Sequence, residues 1–177
     1  MSQLMAAIDG LRTARRYTER ILENVDPTDW FRQPAEGVTH VAWQVGHMTV
    51  AEFRLAMQRI HGPQPTDAEL VSDEFLALFG KGSQPDPDAS KYPSVQQIRA
   101  TFDRVHEQTI EQLRTVSDET LESPSEPPHP MFSTKLGALH WTAQHEIHAR
   151  RPDQPHQTTI GERRDVVAGS VGAGDRV

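Results

Sequence analysis

Nine histidines and no cysteine decide which chemistry is open to this sequence of 177 residues. Without cysteine there is no disulfide, no thiolate nucleophile and no cysteine-ligated zinc. A metal centre has to be built from imidazoles and carboxylates, which suit borderline divalent ions such as zinc, nickel or iron. His145 and His148 stand three apart in a segment of helical spacing, so both can reach one ion from one helix face. His140, Gln144 and His148 form a stripe four apart, and His40, Gln44 and His47 form an earlier one. If the fold brings the two segments together, His47, His145 and His148 make a three-imidazole site with positions left for water and substrate.

Bland readings stand beside that one. An HxxH spacing is unspecific by itself, and His61, His106, His129 and His156 read as partly exposed polar side chains. His40 and His140 either support the ligands or cap their helices. Glu146 lies about 100° around an ideal helix from His145, which argues against it as a general base beside that residue. Trp43 and Trp141 lie near the candidate ligands and either wall a small-molecule pocket or fill the core. No Ser-His-Asp or Cys-His constellation is recognisable.

The elements that must position these groups are helices. Leu4, Ile8, Leu11, Ile21, Leu22 and Val25 recur on one side of a first helix that starts at the N-cap Ser2 and stops at Asp26-Pro27. A second helix is expected from near Thr39 to the stop signal His61-Gly62-Pro63, with Val41, Val45, Phe53, Leu55, Met57 and Ile60 as its apolar positions. Residues 67–79 read as a short helical excursion, and residues 80–93, rich in Gly, Pro, Ser and Asp, as a surface loop. A third helix starts at Ser94 and carries Val95, Ile98, Phe102, Val105, Thr109, Leu113 and Val116 close to a heptad stripe. After the proline-rich connection Glu122–Pro130, a fourth begins near Ser133 or Thr134 and carries Leu136, Leu139, Ala143 and Ile147. Four long helices with no convincing strand mean an all-α, four-helix bundle. One domain over residues 1–150 fits that length, and residues 151–177, with two prolines, four glycines and no helical stripe, read as a disordered or aberrant tail.

The stretches HVAWQVGHMTVAEFRLAMQRI (residues 40–60) and LGALHWTAQHEIH (residues 136–148) closely resemble the DinB-like (YfiT-like) family of metal-binding bundles. The resemblance covers residues 1–150 in helix order and loop placement, and its two motifs are specific. A Gly-His pair on the second helix supplies one ligand in that family. A late His-Glu-x-x-His segment, continuing Ala-Gly-Gln-Ile, supplies two more. The resemblance thus implies His47 and His145 as ligands, crossover connections between the helices and frequent dimers. It further implies a divalent ion, zinc or nickel, serving a hydrolase or a transferase that uses a low-molecular-weight thiol.

His148 rests on helix geometry alone. The family pattern places its last ligand four residues after His145, where this chain has Ala149, and the helix that should follow breaks at Pro152. A frameshift near codon 148 accounts for both departures. Permitted codons for Ala149 to Thr158, read one nucleotide later, give His-Ala-Gly-Gln-Ile-Ser-Leu-Ile-Arg, restoring the motif and an amphipathic continuation. His148 would then stand in for the displaced ligand.

Composition excludes other classes. A formal net charge of -7, with the arginines scattered, argues against nucleic acid as a partner. No apolar run approaches the ~20 residues that span a bilayer, and the N-terminus has no apolar signal region, so a cytoplasmic location is expected. The function expected is that of a divalent-metal-dependent enzyme acting on a small-molecule substrate, with a non-catalytic bundle, metal-stabilised or ligand-binding, as the alternative.

Overall fold

The structure, a computed structural model, describes residues 2–35 and 38–148. Helix α1 (Gln3–Leu22) starts where expected, with the Ser2 hydroxyl accepting from the Met5 amide at 3.2 Å. Helix α2 (Val41–Glu52) runs on through a π-helical stretch, Phe53–Gln58, and a last turn, Arg59–His61. It ends at Gly62, whose φ of 76° lies in the left-handed region that glycine enters without steric penalty. The excursion read over residues 67–79 is two helices, α3 (Asp67–Leu70) and α4 (Asp73–Phe79). Val71 is extended between them, and the Ser72 hydroxyl starts α4 by accepting from the Phe75 amide. A full capping box of Ser94 and Gln97 opens α5 (Val95–Leu113). The short α6 (Asp118–Glu122) follows.

The proline-rich connection departs from the expectation that the chain has no strand. It forms a small antiparallel hairpin, β1 (Pro124–His129) with β2 (Phe132–Thr134). Pro124, Pro127 and Pro128 have no amide hydrogen to donate, so pairing is anchored near the two ends, Pro124 with Thr134 and His129 with Phe132. The strand, PSEPPH, also carries no alternating large apolar residues, so no period-2 signature marks it. Helix α7 (Lys135–His148) leaves the hairpin directly.

The four long helices form two close pairs, α1 with α7 and α2 with α5. Around α2, α4 and α5 the core is aromatic, with Trp30, Trp43, Phe53, Phe75, Phe79 and Phe102 buried together. Around α1 and α7 it is aliphatic and small, with Ala7, Leu11, Ala14, Leu139 and Ala143. A Cβ added to Gly10 would meet that of Ala143 at 3.9 Å, so the α1–α7 seam is close. Among the described residues no helix is long and apolar enough to cross a membrane. The reading of residues 151–177 as a tail, frameshift included, concerns residues outside those described.

Candidate metal centre

His47 is held from two sides. Its Nδ1 lies 2.9 Å from the carbonyl oxygen of Phe79, and a carbonyl can only accept, so Nδ1 carries the proton and Nε2 the lone pair. The ring also stacks on Trp43, at 4.7 Å between centroids and 9° between planes. Trp43 is fixed in turn by donating its indole N–H to Ser83 Oγ at 3.1 Å. Gly46 explains the Gly-His sequence. A Cβ there would fall 2.3–2.6 Å from ring carbons of Phe79, so a side chain would push α4 off α2 and carry the Phe79 carbonyl away from His47. Of the two readings of Trp43, the structure places it in the core and against His47 at once.

The fold brings His145 to His47. Their ring centroids are 5.3 Å apart, from α7 and α2, and both side chains are half-buried. His148 lies on a different stripe, because His140, Gln144 and His148 are all exposed on the outer face of α7. At about 100° per residue, His148 is turned about 60° from His145 toward that outer face. Among the described residues no group of three His, Cys, Asp or Glu side chains is placed to hold an ion. The imidazole pair fits two positions of a metal's donor set, and the described residues do not complete the third.

The other histidines sort by environment. His40 caps α2, its Nδ1 accepting from the Trp43 amide at 3.0 Å and its Nε2–H donating to the Asp86 carbonyl at 3.0 Å. Its ring is fully buried beside Phe31 and Tyr92, and burial lowers its pKa below the ordinary histidine value. His129 packs on Phe132 in the hairpin, and burial, with Arg59 and Lys81, lowers its pKa too. His106 is partly buried, with Nδ1 2.8 Å from Glu52 Oε1.

Beneath the imidazole pair lies a charged cluster that the histidine spacing does not announce. Arg15 of α1 donates from Nη2 to Glu52 Oε2 at 2.7 Å, from Nε to Glu146 Oε1 at 3.2 Å and from Nη1 to the Phe102 carbonyl at 3.0 Å. Its guanidinium lies 3.3 Å from the centroid of the Phe102 ring. Thr18 donates to Glu146 Oε1 at 2.5 Å. Burial alone would raise the Glu52 carboxyl, but Arg15 and His106 outweigh it and hold it below the usual range. Burial wins at Glu146, whose carboxyl is raised. Glu146 therefore faces the bundle interior, in keeping with the angle that argued against it as a base beside His145. A signal for the cluster existed, since the apolar stripe Leu4, Ile8, Leu11, Leu22 of α1 passes through Arg15 and Thr18.

A bundle of four long helices with a Gly-His pair on the second and a His-Glu segment on the last defines a class of protein. The family model of the DinB superfamily matches residues 11–151, and the chain belongs to that superfamily. No curated protein and no solved structure matches the chain.

Proposed function

We propose that this chain is a divalent-metal-dependent enzyme, either a hydrolase or a transferase using a low-molecular-weight thiol, with His47 and His145 as ligands. The observation that carries the proposal is the state of His47. A ligating histidine commonly donates its second ring nitrogen to a carbonyl, which fixes the tautomer and leaves the other nitrogen for the ion. Donation to Phe79, on a ring already 5.3 Å from a second imidazole, is that arrangement. His148 would complete the set by turning inward from the end of α7. A bound zinc or nickel ion would supply Lewis acidity, lowering the pKa of a coordinated water or thiol so that it is a nucleophile at neutral pH. The chain's own part is to orient His47 through Phe79 and Trp43 and to present both imidazoles from helices rather than loops. A homodimer is the assembly the family resemblance supports.

The test is metal analysis of protein purified without chelators, followed by thiol-transfer and hydrolysis assays. A stoichiometric transition metal, lost in His47→Ala and His145→Ala, is the expected result. No bound metal, and no thermal shift on adding zinc or nickel, overturns it. A second reading, a metal-stabilised or ligand-binding bundle without catalysis, is favoured by the missing third ligand among the described residues. Stoichiometric metal with no turnover of thiols or hydrolysable esters would select it.

A further inference from the structure

We propose that Arg15 is a positioning residue that sets the spacing of His47 and His145. The inference rests on the reading above only in taking those imidazoles as the site. His47 rides on α2, which packs chiefly against α5, and His145 rides on α7, which packs chiefly against α1. The two halves therefore belong to different helix pairs, and apolar contact between the pairs comes from farther along α2, where Ala56 and Ile60 join the aliphatic cluster of Leu139 and Ala143. At residues closer in sequence to the histidines, Arg15 makes the link. From α1 it holds Glu52, five residues after His47 on α2, and Glu146, the residue after His145 on α7. Its third bond, to the Phe102 carbonyl, ties in α5, so one side chain touches all three other long helices.

Both carboxylates are braced from behind. His106 holds the second oxygen of Glu52, and Thr18 donates to Glu146. With only 8% of the Arg15 side chain exposed, water does not compete for the fork. A buried charge cluster of this kind contributes little net stability, because desolvation offsets the attraction, but it tolerates few geometries. The planar guanidinium fixes two acceptors at once, which a single ammonium does not. The spacing of His47 and His145 is thus set by one fork on the residues next to them, while the apolar contact at Ala56 and Ile60 lies farther along α2.

The test uses the full chain without metal, isotope-labelled at histidine, and reads the nuclear Overhauser contact between the His47 and His145 rings. Arg15→Met is compared with Leu113→Ala, a core deletion on α5 that lowers stability without touching the cluster. The contact is expected in the wild type and in Leu113→Ala, and lost in Arg15→Met. If Arg15→Met does not fold, Arg15→Lys gives the same reading, since it keeps the charge and loses the fork. An unchanged contact in the folded Arg15 variant, or no contact in the wild type, overturns the proposal. Zinc affinity by chelator competition should fall about 10- to 100-fold in the Arg15 variant, the usual effect of losing support behind a ligand. A wild type that binds no zinc but shows the pattern of ring contacts defeats the metal reading and leaves the Arg15 proposal standing.

Discussion

His47 stands on a wall of aromatic rings, whereas His145 stands on a seam of alanines and glycine with a charged cluster beneath it. On the first side Phe79 packs against Gly46, Phe75 and Tyr92, and its carbonyl orients the imidazole directly. On the second side Gly10, Ala14 and Ala143 let α1 and α7 approach, and the approach is registered by Arg15 and Glu146. One half of the pair is thus placed by shape and the other by charge. Apolar packing is forgiving of volume-conserving change and intolerant of voids, while a buried ion network is intolerant of losing a single partner. The two halves should therefore fail in different ways.

The largest effect is expected on the aromatic side. Phe79→Ala removes a fully buried ring from the centre of its cluster and should cost about 4 kcal/mol of unfolding free energy by the usual large-to-small range. Urea unfolding measures it. A loss below about 1 kcal/mol would mean that α4 merely lies on α2.

On the charged side, Glu52→Ala leaves Arg15 and His106 facing a buried gap and should cost about 3 kcal/mol. The signature is in the pairing rather than in the size. Glu52→Ala and Arg15→Met together should destabilise by clearly less than the sum of the single changes, because the double variant buries fewer unpaired charges. Additive losses would show that Arg15 is sustained by Glu146 and the Phe102 carbonyl alone.

The same contrast explains what could be read from the chain. Helical periodicity located α1, α2, α5 and the start of α7, because each carries an apolar stripe ending at a cap or a Gly-Pro stop. His47 and His145 were legible for a related reason: glycine before the first leaves room for Phe79, and the second faces inward on its helix. His148 shares the histidine spacing but not the burial, and spacing of three or four cannot distinguish the inner face of α7 from the outer stripe of His140 and Gln144. The hairpin was hidden by its prolines. The stripe of α1 marked Arg15 and Thr18 as inward-facing, but their partners were hidden, because Glu52 and Glu146 lie 37 and 131 residues from Arg15 and only the fold makes them neighbours.

A third prediction separates the halves by pH, through His40. Its folded pKa lies below the unfolded value of about 6.5, since burial and its capping role at Nδ1 favour the neutral ring. The folded state therefore binds fewer protons than the unfolded one. Stability from this group is present above the unfolded pKa and is lost as pH falls toward the folded one. The cap itself is worth about 1 kcal/mol. Glu146, with its pKa raised, works in the opposite sense, contributing stability at low pH that is lost as pH rises through its folded value. The difference between the wild type and His40→Asn isolates the histidine: acid should weaken the wild type more steeply than the variant below pH 6.5. Parallel curves would assign acid sensitivity elsewhere in the molecule.

The smallest effect on stability, and the sharpest on the site, is expected at the end of α7. His148 is exposed, so His148→Ala should change the unfolding free energy by less than about 0.5 kcal/mol. Its effect on zinc depends on whether the side chain turns inward. If it supplies a ligand, affinity falls in His148→Ala, though by less than in His47→Ala, because an outward-facing ring must give up rotamer freedom on binding. Ala149→His offers the competing arrangement, an imidazole four residues after His145 as in the family motif. Combined with His148→Ala, it should restore or exceed wild-type affinity if the third ligand was displaced by one residue. Equal zinc affinity in His148→Ala, in the Ala149→His/His148→Ala double variant and in the wild type would confine the protein's share of the site to the pair that Phe79 and Arg15 hold in place.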